Sequence, residues 1–141
     1  IGAIIATLAI VGAYVAIAAP KGPVPLPPGA TRLDLRTQPS RLWPPPGLGC
    51  PAALVLPLRV ELAEGTIAFF VVDDGARVSV SWPAGFSARL LDGRAELVTP
   101  GGGVLARDGD VISNLAGSAA DNGDILVCIS SVYPPEVTHS P

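Results

Sequence analysis

Six turn signals punctuate this chain from residue 52 onward: Glu64-Gly65, Asp74-Gly75, Asp92-Gly93, Gly101-Gly102-Gly103, Asp108-Gly109 and Asn122-Gly123. Asp-Gly and Asn-Gly reach positive φ at low cost, so such pairs suit tight hairpins. Breaks this close leave room for short strands, and no intervening segment has convincing helical periodicity. Candidate strands cover residues 54–62, 66–72, 77–82, 88–91, 95–98, 104–106, 111–113 and 124–130. In Arg77-Val78-Ser79-Val80-Ser81-Trp82 the period of two turns Val78, Val80 and Trp82 inward. Eight short strands in about 80 residues predict an all-β domain, either a small, partly open barrel of OB-like size or a sandwich. Phe69, Phe70, Trp82 and Phe86 are expected in its core or at its rim. Base stacking is not indicated, because no basic residues interleave with these rings.

Ahead of this domain, residues 1–19 carry no charge and Pro20 ends the run. As a helix the run would span roughly 28 Å, close to the hydrocarbon thickness of a bilayer. A transmembrane anchor is expected. The alternatives are a signal peptide, with Ala16-Ile17-Ala18 resembling a cleavage site, and the helical stem of a pilin-like filament subunit. With the segment present in the chain, a retained helix is preferred over a cleaved leader. Gly2, Ala6, Ala9, Ala13 and Ala16 recur at spacings that place them on one helical stripe. Small stripes let membrane helices approach closely, so these five residues are the expected packing interface with a second helix.

Between anchor and domain, residues 20–49 read as a proline-rich linker, with nine prolines from 20 to 46. Such a run favours extended polyproline II, a semi-rigid stalk of about 3.1 Å per residue. Within it, residues 31–36 alternate polar and apolar and suit a short strand docked on the domain. Residues 50–133 are assigned to the β-domain and 134–141 to a C-terminal tail. The net charge of −3 excludes an electrostatic nucleic-acid partner. Charge is unevenly distributed: residues 21–41 hold four basic groups against one acidic, and residues 50–141 five against eleven. The basic stretch suits either a solvated linker or a place near anionic headgroups. Cys50 and Cys128 flank the domain, a placement that suits a disulfide closing it in an oxidising compartment. Lys21 would favour a cytoplasmic C-terminal side by the positive-inside rule. The cysteine pair argues for the opposite side and is followed here.

The run Trp82-Pro83-Ala84-Gly85-Phe86-Ser87-Ala88-Arg89, then Asp92-Gly93-Arg94 and Arg107-Asp108-Gly109-Asp110, resembles a group of small, uncharacterised bacterial extracytoplasmic β-domains. The resemblance covers roughly residues 50–130 with the flanking cysteines. It implies an exported domain and no particular chemistry.

No catalytic or metal-binding constellation emerges. His139 stands among Thr and Ser near the end of the sequence, far from any candidate partner, and is expected to be solvated. Two distant cysteines and one histidine do not make a zinc site. Asp108-Gly109-Asp110 and Asp121-Asn122-Gly123-Asp124 lack the calcium-loop spacing with a distal glutamate. Asp73 and Asp74 point to opposite faces if extended, and no lysine or helix follows Gly101–Gly103 as a phosphate loop requires. The expectation is a non-catalytic accessory subunit of a larger membrane complex, without cofactor or metal. Its partners would be the lipid bilayer and integral membrane subunits contacted through the helix, with the domain in the periplasm or at the cell surface. A pilin-like filament subunit and a membrane-anchored ligand- or envelope-binding module are the alternatives.

Overall fold

The computed structural model describes residues 23–39, 55–129 and 134–140. The expected anchor, with its stripe of Gly2, Ala6, Ala9, Ala13 and Ala16, lies outside them, as does Cys50. Among the described residues no helix is long and apolar enough to cross a membrane. The elements are all strands: β1 (Thr31–Leu33), β2 (Leu58–Ala63), β3 (Thr66–Val71), β4 (Arg77–Val78), β5 (Val80–Ser81), β6 (Ser87–Leu91), β7 (Arg94–Val98), β8 (Val104–Arg107), β9 (Val111–Ser113), β10 (Ala116–Ala119), β11 (Ile125–Cys128) and β12 (Glu136–Thr138).

They form three open sheets, ordered β1-β6-β7-β8, β10-β11-β5 and β12-β9-β2-β3-β4. The four- and five-stranded sheets meet through contacts of β2 and β3 with β7. The core between the sheets holds Leu58, Val60, Phe69, Ala95 and Leu97, with Trp82 fully buried among them. Among the described residues no barrel closes, and the arrangement is sandwich-like, the second of the two expected forms.

Local sequence explains the hairpins. β2 and β3 pair from Leu58↔Val71 to Ala63↔Thr66, leaving Glu64 (φ 54°) and Gly65 (φ 77°) as a two-residue turn. β6 and β7 meet in the same way around Asp92 (φ 52°) and Gly93 (φ 76°). Positive φ at both central positions gives these turns the twist that antiparallel strands need. Along β2, buried Leu58 and Val60 alternate with partly exposed Arg59 and Glu61.

Three expectations are corrected. Residues 77–82 are not one strand: β4 pairs with β3 and β5 lies parallel to β11, while the carbonyl of Ser79 between them accepts a bond from Ile125 N–H. Val80 and Trp82 are buried and Val78 packs against the core, so the inward face holds although the strand changes sheets. Two strands arise where none is expected, β10 and β12, the latter from the stretch assigned to the tail.

The third correction concerns the proline-rich stalk, since residues 23–39 pack on the domain. Ala30 N–H bonds the carbonyl of Pro27, and Gly29 takes φ 81°, a type II turn that reverses the chain into β1. Beyond β1, Trp82 N–H bonds Arg36 O and Gln38 N–H bonds Trp82 O. The buried Gln38 side chain then donates to the carbonyls of Ser81 (2.7 Å) and Val127 (2.9 Å), tying β5 to β11.

Candidate functional site

Three features stand apart from the packed core. The first is an ion-pair row on the outer face of the four-stranded sheet. Register places Arg32 opposite Arg89, Arg89 opposite Glu96, and Glu96 opposite Arg107. These four side chains therefore line up across four strands, on the face opposite Leu33, Ala88, Leu97 and Ala106. Glu96 is buried and shared: Arg89 Nε donates to Oε1 at 2.8 Å and Arg107 Nε to Oε2 at 2.7 Å. Burial raises the Glu96 pKa, but the hydrogen bonds and charges of Arg89 and Arg107 outweigh it and hold the carboxyl below its ordinary value.

The second feature is an apolar cleft of about 220 Å³ between the β2–β3 end and the β10–β11 hairpin, lined by Val55, Leu56, Val71, Gly117, Ala119 and Ile125 among others. Leu56 on its wall is 57% exposed, and nearby Val72 bonds the carbonyl of Pro57 while leaving its side chain accessible. Gly117 permits the close approach of strands here. A Cβ at that position would lie 2.6 Å from Leu126 O and 2.9 Å from Val55 Cγ2. Because the first neighbour is backbone, Gly117→Ala is expected to destabilise the domain by about 1–3 kcal/mol, read as a lower urea midpoint at unchanged slope.

The third is the Asp110 carboxylate, which gathers chain segments at one end of the five-stranded sheet. It accepts the Arg107 N–H (2.9 Å), the Ser140 N–H (2.9 Å) and a contact from His139 Nδ1 (3.0 Å). His139 is solvated as expected, its side chain 68% exposed, but it does have a partner: the pairing of β12 with β9 brings it to Asp110. The neighbouring Asp108 accepts Leu62 N–H at 3.0 Å, so both carboxylates of the Asp-Gly-Asp turn serve the backbone.

Burial raises the Asp110 pKa; the backbone bonds from Arg107 and Ser140, with His139, more than offset that and leave it lowered. The sign follows. A depressed folded pKa stabilises the fold above the unfolded carboxylate value of about 3.9, and this contribution is lost as pH falls through the folded value. The stability gap between the wild type and Asp110→Asn is therefore expected to be full at neutral pH and to close in acid, measured by urea melts across pH.

Other sequence-selected residues fall as follows. Cys128 is buried at the end of β11, and no free cysteine occurs among the described residues. Asp74 accepts Ala76 N–H within its turn, and Asn122 caps Asp124 N–H in another. Among the described residues no group of three or more His, Cys, Asp or Glu side chains is placed to hold a metal. Sequence reasoning missed Glu96, and it weighed Asp110 only as a cation ligand, not as the acceptor that gathers Arg107, His139 and Ser140. Their only one-dimensional signal is a carboxylate inside a strand pattern or just before one. Compared with known protein families, curated proteins and solved structures, the chain matches none.

Proposed function

We propose that this chain is a non-catalytic accessory subunit of a larger membrane protein complex. Residues 1–19 form its single transmembrane helix, docked through Gly2, Ala6, Ala9, Ala13 and Ala16 on an integral membrane subunit. The β-domain lies on the extracytoplasmic side. The observation that carries the reading is the open apolar cleft with Leu56 57% exposed on its wall. An exposed leucine beside an apolar cleft is a place where a partner's apolar side chain would gain burial. The cleft is smaller than the roughly 300–1,000 Å³ of small-molecule sites, which favours a protein side chain over a metabolite as its occupant.

Mild detergent extraction, a native gel and mass spectrometry test the reading. Co-migration with integral membrane subunits is the expected result, and a free monomer sinks it. The extracytoplasmic placement rests on a Cys50–Cys128 disulfide. Thiol alkylation of the denatured, unreduced protein is expected to label neither cysteine; labelling of both would remove the argument for that side of the membrane.

A further inference from the structure

The arginines of the described chain are sorted by face. The outer face of the four-stranded sheet carries Arg32, Arg89, Arg94 and Arg107 against Glu96 alone, a net of +3. The remaining described residues hold three arginines and eleven carboxylates, a net of −8. Asp34, Asp92 and Asp108 belong to that second group and sit at the rim of the face, directly after β1 and in the turns beside β7 and β8. Arg89 and Arg107 reach Glu96 through Nε; Arg89 is largely buried in doing so, and the half-exposed Arg107 keeps its terminal NH2 groups as further donors. Arg32 and Arg94 are exposed, and Arg107 is 42% exposed. An acidic domain thus presents one basic face.

The path of the chain says what that face meets. Arg32 Nη2 donates to the carbonyl of Val24 at 2.7 Å, and Val24 Cγ1 lies 3.7 Å from where a Cβ of Gly102 would be. Val24 is therefore fixed to this sheet. The uncharged stretch ends at residue 19, five residues earlier. Five residues span at most about 18 Å. A basic face on so short a tether can be laid on the headgroups, whose influence decays over about 8 Å in physiological salt.

We infer that the outer face of the β1-β6-β7-β8 sheet binds the anionic phospholipid headgroups of the membrane that holds residues 1–19, so that the domain lies with its basic face on the bilayer and its acidic surface away from it. This rests on the anchor reading of residues 1–19. The recognising chemistry is guanidinium to phosphate, offered by Arg32, Arg94 and Arg107, with the bond from Nε to Glu96 steadying Arg107.

The test uses the full chain in vesicles of phosphatidylcholine alone or mixed with phosphatidylglycerol. Flotation comes first and reads the anchor. Arginine labelling by a dicarbonyl reagent, quantified by mass spectrometry, then reads the face, with Arg77 of the five-stranded sheet as internal reference. Labelling of Arg32, Arg94 and Arg107 is expected to slow roughly five-fold or more in the anionic vesicles. High salt should restore the rate, and Arg77 should be unchanged. Arg32→Glu with Arg94→Glu, which leaves both Glu96 ion pairs in place, should abolish protection at Arg107. Equal rates in the two lipids overturn the inference, as does equal protection by inorganic phosphate with neutral vesicles. A chain that floats with neither vesicle fails the anchor reading instead. Added anionic vesicles then decide the face by the same labelling, protection supporting it and its absence overturning it.

Discussion

Trp82→Ala is expected to cost the domain about 3–5 kcal/mol, a large share of the roughly 5–15 kcal/mol that holds a small domain together. Trp82 is fully buried, with its ring centroid 5.3 Å from that of Phe69 and 5.7 Å from that of Phe86. Its backbone also bonds Arg36 and Gln38, so the side chain sits where the N-terminal segment, β5 and the main core meet. The indole Nε1 has no hydrogen-bond partner among the described residues. The side chain therefore acts through volume and area alone, and Trp82→Phe should retain much of the stability that alanine loses. Urea denaturation followed by circular dichroism decides the point. A phenylalanine variant as weak as alanine would show that the indole nitrogen matters after all.

Glu96→Ala should be nearly as damaging, for an electrostatic reason. The substitution leaves Arg89, whose side chain is only 13% exposed, buried beside no counter-charge. Stranding a buried charge costs about 3–5 kcal/mol. The Arg107 arm adds little, because a side chain 42% exposed can turn to water. For a domain of this size a loss of about 3 kcal/mol lowers the melting temperature by roughly 12–24 °C. The double variant Arg89→Met with Glu96→Leu removes both charges and should recover most of the loss. Recovery separates the cost of a stranded charge from any intrinsic value of the pair. If the single variant melts like the wild type, Arg89 has found water and the ion pair is incidental.

Much of the sheet architecture could be read in advance where residue pattern and turn chemistry agree. Glu64-Gly65 and Asp92-Gly93 mark two hairpins because both positions of each turn need positive φ, and the flanking residues alternate. β10 escaped because Ala116-Gly117-Ser118-Ala119 has neither branched nor aromatic residues; its strand exists because small side chains let it approach Leu126 and Val55. β12 escaped because three residues bounded by irregular chain carry too little pattern, and only pairing with β9 defines them. The division of residues 77–82 was invisible for a different reason: a period of two is the same whether a strand continues in one sheet or passes to the next. Site residues fared worse than strands. Arg32, Arg89, Glu96 and Arg107 become neighbours only through register across four strands. A linear charge count saw a basic stretch before the domain without seeing that Arg32 joins three arginines from beyond residue 80.

Gln38 sets the order in which this molecule can assemble. Its amide bridges carbonyls 43 and 89 positions further along the chain, and the parallel alignment of β5 with β11 is likewise non-local. Closing loops of that length is entropically slow, and topologies dominated by such contacts fold late. Hairpins β2–β3 and β6–β7 can form from local sequence as the chain emerges, and β1 can then pair with β6, but the bridge from Gln38 is complete only once Val127 is present. If the chain is threaded across a membrane, the buried amide of Gln38 holds only one of its two carbonyl partners until β11 has crossed.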